Sequence, residues 1–144
     1  MQQVEAKIAI RTSPAAVFSA FTELEHLHGW WGVERKLIEL KPGGLYTLIW
    51  QITENGIGFV STGIMKVYKP EKRLLIGDFV YINPEKPILG PMSLTLETTQ
   101  KSNYTELKVT QDGYQKGEDW DWYYEAVKNA WPMALETLKN YLEK

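Results

Sequence analysis

Few side chains in this sequence are placed to do chemistry, and each has two readings. His26 and His28 are the only histidines, and His-x-His is a spacing that can offer two imidazoles to one metal ion. On a helix, residues two apart point about 200° apart, so only extended backbone would bring the rings together. A third ligand would have to be a carboxylate such as Glu23 or Glu25, because the sequence has no cysteine. Surface histidines, without metal or other cofactor, are the expectation. Asp78 interrupts the apolar run Leu74, Leu75, Ile76, Gly77, Phe79. If it shares a concave face with Ile76, it is a carboxylate in an apolar cavity, with a raised pKa and an acid, base or anchoring role. If it points outward, it is a solvated residue. Alternation leaves both open. Gln111 is the analogous neutral candidate, at the end of a later strand.

Glu118-Asp119-Trp120-Asp121-Trp122-Tyr123-Tyr124 is an acidic, aromatic cluster that could receive a cation or a sugar-like ligand. The same residues suit a helix start, with acids complementing the N-terminal dipole and rings packing on a sheet. That second reading is preferred. No serine sits in a nucleophile elbow, and a Ser-His-acid triad would have to borrow one of the two histidines, so such hydrolysis is not expected. Gly43-Gly44 and Gly56-x-Gly58 read as turns, because neither leads from a strand into a helix as a phosphate loop does. Six Trp and eight Tyr are more ring surface than a plain core needs. Buried indole N–H groups also need acceptors. Trp30, Trp31, Trp50 and Trp131 therefore suggest a partly aromatic pocket.

The elements that must position these residues follow from periodicity. Val4, Ala6, Ile8 and Ile10 alternate with polar neighbours as a half-buried strand does. Ser13-Pro14 starts a helix that carries Val17, Phe18 and Phe21, and a short turn from Leu24 to about His28 closes at Gly29. Strands are expected at 33–40, 45–52, 59–68, 73–81, 92–98 and 105–110, mostly joined by hairpins, with Asn55-Gly56 the sharpest turn signal. Residues 82–91 hold Pro84, Pro87 and Pro91, so they read as a stiff loop rather than a central strand. With Ile82, Ile88 and Leu89, that loop could close over a cavity mouth, or merely bridge two strands. Val127, Trp131, Leu135, Leu138 and Leu142 repeat at helical spacing. Pro132 interrupts them, so the spacing predicts a short helix over 118–128, a break, and a main helix over 130–142.

Composition limits the partners. At 144 residues a single domain, 1–144, can bury about two-thirds of its unfolded surface. The formal charge of −2 is spread along the sequence, without the basic face of a nucleic-acid binder. No run approaches the roughly 20 apolar residues of a membrane span, and the start MQQVEAK has no apolar signal region, so a cytoplasmic address is expected.

The order of strand, two small helices, antiparallel strands and closing helix resembles the START-like, birch-allergen-like helix-grip superfamily (SRPBCC). Within it, the sequence is similar to the family named for the activator of heat-shock-protein-90 ATPase, the AHSA-type domain. The matching residues are Ser13-Pro14 with Val17-Phe18, Trp30-Trp31-Gly32, Pro42-Gly43-Gly44 with Tyr46, and Gly63 through Tyr68 to Pro70 and Arg73-Leu74. The close Trp131, Leu135, Leu138, Tyr141-Leu142-Glu143 completes them. The resemblance implies an α+β fold in which six to seven antiparallel strands wrap around the C-terminal helix over a cavity. It also implies a link to chaperones and the stress response. The co-chaperones engage the chaperone through a further N-terminal region, whereas this sequence starts directly at its first strand.

The reading that results is a hydrophobic cavity binding an apolar or amphipathic small molecule, more in the manner of a binding protein than an enzyme. Its expected lining is Trp30, Tyr46, Trp50, Phe59, Ile76, Met92, Leu94, Val109, Trp131 and Leu135, with Asp78 and Gln111 orienting the ligand. The alternatives are a protein-interaction module, with a chaperone or other protein as partner, and an enzyme using Asp78 as general base.

Overall fold

The structure is a computed structural model that describes residues 2–144. Its elements are β1 (Gln3–Ile10), α1 (Pro14–Thr22), α2 (Leu24–Trp31), β2 (Arg35–Ile38), β3 (Leu45–Trp50), β4 (Phe59–Lys69), β5 (Arg73–Ile82), β6 (Leu89–Gln100), β7 (Thr105–Asp112) and α3 (Glu118–Leu142). The seven strands form one sheet in the order β1-β7-β6-β5-β4-β3-β2, antiparallel throughout. The sheet curves around α3, giving the α+β helix-grip architecture.

Alternation sets the inner face. Along β7, Thr105, Leu107, Val109 and Gln111 are buried while their neighbours are half-exposed. On α3, Tyr123, Val127, Trp131, Leu135 and Leu138 form one buried stripe. Ser13 caps α1 as its sequence position suggests, accepting from the Ala16 amide at 3.2 Å.

Four boundaries differ from the periodicity reading. The helix over 118–142 is continuous across Pro132. Pro132 and Lys128 both lie on the exposed face, so water can satisfy the Lys128 carbonyl that lacks its partner. Val127 and Trp131 are buried on the other side, and their packing holds the two segments in line. The second helix runs past Gly29 to Trp31 and ends at Gly32, whose φ of 76° makes it the left-handed cap. Gly29 instead provides a close approach: a Cβ there would lie 2.8 Å from Cε1 of Tyr141 on α3. Strand β2 is only four residues long.

The fourth difference is β6, which starts at Leu89 and includes Pro91 although it lies between β5 and β7. Phe79 pairs with Met92 and Tyr81 with Leu89, so Gly90 and Pro91 together oppose Val80 in a bulge. Pairing with β7 begins only at Ser93, so the proline needs no donor on that side. Ile88 points to solvent at 66% exposure, while Leu89 is buried in the sheet. The apolar residues of this loop therefore do not close together over a cavity.

Candidate functional site

A cavity of about 340 Å³ lies between the sheet and the first half of α3. It exists because the helix presents alanines to it. Ala126, Ala130 and Ala134, at successive i+4 positions, all line the space, where larger side chains would fill it. No formally charged side chain among the described residues lines the cavity.

Two groups of rings flank it. On one side the Trp31 ring sits 5.2 Å from Trp50 and 5.5 Å from Trp131, and it stacks on Trp30 at 4.7 Å. On the other, Phe59, Tyr81 and Tyr123 form a stacked ladder with centroid spacings of 6.3 and 5.0 Å. The groups adjoin at the sheet, where Trp50 pairs with Phe59 across β3 and β4. They diverge at the helix, where Tyr123 and Trp131 are eight residues, about 12 Å, apart. The space between is a wedge walled largely by aromatic side chains.

Gln111 joins the two groups under the helix. It is 2% exposed; its Oε1 accepts from Trp131 Nε1 at 3.1 Å, and its Nε2 donates to the Tyr123 hydroxyl at 2.9 Å. The second Nε2 proton points to Met92 Sδ at 3.6 Å. An indole can only donate, so the amide oxygen must face Trp131 and the amide nitrogen must face Tyr123. Burial pushes the Tyr123 phenol well above its usual range, an effect only partly opposed by the bond from Gln111. The phenol thus stays protonated at neutral pH. Burial does the same to Tyr46, whose hydroxyl donates to the Phe21 carbonyl at 2.6 Å and ties β3 to α1.

Of the twelve residues chosen from sequence, Tyr46, Trp50, Phe59, Leu94, Gln111 and Trp131 line the cavity. Trp30 lies behind Trp31, its indole donating to the Ala20 carbonyl at 2.7 Å. Ile76, Met92, Val109 and Leu135 are buried in the core outside the lining. Asp78 is on the outer face, its side chain 63% exposed and 2.9 Å from Lys66 Nζ. The cause is a second bulge: Ile76 pairs with Leu94 and Phe79 with Met92, so Gly77 and Asp78 both oppose Ser93. Asp78 takes φ of 47°, a left-handed conformation that aspartate tolerates, and the inward set resumes at Phe79. No acid or base in the cavity comes from this residue.

The expected lining leaves out Trp31, although it counts among the rings that suggest an aromatic pocket, and Trp122 and Tyr123, whose segment is read as a helix start; Phe79 and Tyr81 are missed outright. Tyr123 lies four residues before Val127 in the same stripe, and continuing that spacing through Pro132 would have found it. The two histidines serve structure: His26 Nδ1 meets the Tyr141 hydroxyl at 2.8 Å, and His28 Nδ1 donates to the Val33 carbonyl at 3.1 Å. Among the described residues no cluster of three His, Cys, Asp or Glu is present. The acids Glu118, Asp119 and Asp121 occupy the first turn of α3, and Asp119 lies 3.5 Å from Lys86. Lys86 also sits 4.7 Å over the Trp122 ring, fastening the β5–β6 loop to the helix beside the cavity. No helix among the described residues is long and apolar enough to cross a membrane.

The sequence profile of the family described as Activator of Hsp90 ATPase homolog 1-like protein matches residues 11–143. The comparison with curated proteins found no match. Several solved structures are similar in fold. A crystallised protein from Mesorhizobium loti is 19% identical, with 96% of this chain and 95% of that one aligned at a TM-score of 0.75. The Aha1 dimer from Colwellia psychrerythraea is 17% identical over 99% and 97% of the two chains, at a TM-score of 0.73. CalU16 from Micromonospora echinospora is 19% identical over 96% and 73%, at 0.68.

Proposed function

The chain belongs to the Activator of Hsp90 ATPase homolog 1-like family, and from that premise we propose that it is a non-enzymatic binding protein for an apolar or amphipathic small molecule held between sheet and helix. The observation that carries this reading is the uncharged, ring-walled cavity of about 340 Å³, a volume inside the roughly 300–1,000 Å³ range of small-molecule sites. Burying a flat apolar surface between the two ring groups would supply most of the affinity through the hydrophobic effect. A cytoplasmic setting suits a sequence without cysteine. Native mass spectrometry of freshly purified protein, followed by titration of the stripped protein with an apolar dye, tests the proposal. A co-purified small molecule or saturable dye binding is expected; neither appearing would overturn it.

A second reading, a protein-interaction module acting on a chaperone, is favoured by the family's description and by the open edge of β2, where Leu37 is 54% exposed. It predicts chaperone capture that is indifferent to filling the cavity and sensitive to Leu37→Glu.

A further inference from the structure

The hydrogen-bond accounting around Gln111 reaches further than the presence of a cavity. Every polar group of that amide is already committed: the oxygen to Trp131, one proton to Tyr123 and the other toward Met92. Gln111 therefore has no proton left to give a ligand. The Tyr123 oxygen is used as an acceptor, because the donor-only indole of Trp131 fixes which end of the amide faces it. The hydroxyl proton of Tyr123 remains, and it has no protein acceptor among the described residues. Among the described residues, the Ser61 hydroxyl on β4 is the other buried polar side chain in the lining without a protein partner; the unpartnered indoles of Trp31 and Trp122 are only partly buried or exposed. An unmet donor at a buried site costs free energy, and an acceptor on the ligand relieves it.

Resting on the pocket-binding reading above, we propose that the ligand class is a flat, uncharged, ring-containing molecule carrying a carbonyl or similar acceptor, which takes its single directed hydrogen bond from the Tyr123 hydroxyl. The wedge between Trp31, Trp50, Trp131 and Phe59, Tyr81, Tyr123 favours a thin, ring-containing molecule, since aromatic side chains line both sides and the two groups converge at the sheet, where Trp50 pairs with Phe59. The absence of any formal charge among the lining residues disfavours an ionised group inside, whose desolvation nothing there would offset.

Fluorene and 9-fluorenone share one flat tricyclic shape and differ by a single carbonyl, so together they isolate the proposed bond. Their dissociation constants would be measured by calorimetry on the wild type, Tyr123→Phe and Ser61→Ala. The ratio of fluorenone to fluorene affinity should fall roughly three- to ten-fold in Tyr123→Phe and stay unchanged in Ser61→Ala. The ratio carries the comparison rather than either affinity alone, because Tyr123→Phe keeps the ring in the wall but also removes the acceptor of a Gln111 proton, a change that both probes meet alike. A ratio unchanged in Tyr123→Phe, or lost in Ser61→Ala instead, would overturn the inference while leaving pocket binding intact. If neither probe binds the wild type, both readings fall. Infrared spectroscopy needs no variant: the carbonyl stretch of fluorenone bound to the wild type should lie below its position in hydrocarbon solvent. An unshifted stretch counts against the Tyr123 bond even if Tyr123→Phe fails to fold.

Discussion

From Leu135 to Glu143, α3 is tied down by nearly every kind of contact available. Leu135 and Leu138 are buried, Tyr141 bonds His26, and Lys139 Nζ donates to the Ala9 carbonyl at 2.8 Å. Glu143 takes the Arg11 amide at 2.8 Å and Lys139 at 2.8 Å, closing a polar clasp over the end of β1. From Glu118 to Ala130 the same helix is held differently. It starts at Gly117 with no side-chain cap, packs through rings, and shows alanines to a cavity instead of filling it. Stability is thus concentrated at one end of the helix and open space at the other. The two properties should be separable by mutation.

The largest effect should come from the anchored half. Leu138→Asp puts an unpaired charge at a fully buried position, and should cost more than the roughly 2–5 kcal/mol of truncating a core leucine. Urea denaturation measures it; a midpoint like the wild type's would mean that this half is not the anchor. Next comes Ala130→Trp, in the half that roofs the cavity. Ala130 is exposed at the cavity's edge, so stability should move by only about 0.5 kcal/mol. Dye binding, by contrast, should drop at least ten-fold. If both quantities fall together, the halves are not independent.

The smallest effect concerns the clasp. The bond from Lys139, then that from the Arg11 amide, hold the Glu143 carboxyl at about 2, below its ordinary 4.5. A depressed carboxylate stabilises the fold above its unfolded pKa and loses that contribution as pH falls through the folded one. The melting temperature of Glu143→Gln should therefore lie slightly below the wild type's near neutral pH, and the gap should close between about 4.5 and 2. A gap that is constant across that range would mean the clasp works through packing and not charge. Because the side chain meets solvent on one side, salt should narrow the gap as well.

Which parts of this were legible in the sequence depends on how local the deciding physics is. The strands β1 and β7 follow a clean period of two, and the buried stripe of α3 a clean period near 3.6; both could be read directly. Pro132 could not, because its cost is set by which face it occupies, and that is decided by the packing of Val127 and Trp131 on distant strands. Asp78 failed for a related reason: one extra residue at Gly77-Asp78 breaks the alternation, and the bulge is defined only against Ser93 on the neighbouring strand. Trp30 and Trp31 are adjacent on α2, so one had to face inward past the other. Contacts with Trp50 and Trp131 on other elements determine which one lines the cavity.

The pairing of β1 with β7 has a consequence for how the molecule can be made. Gln3 lies opposite Asp112 and Ile10 opposite Thr105, and the clasp over β1 is supplied by the last turn of α3. During synthesis from the N-terminus, the first strand therefore emerges long before anything it can pair with exists. The strands from β2 to β6 can zip by successive hairpins as they appear, whereas the first must wait for a closure spanning most of the chain. Emergence of β7 and the last turn of α3, and not any earlier point in elongation, is when this grip can first close.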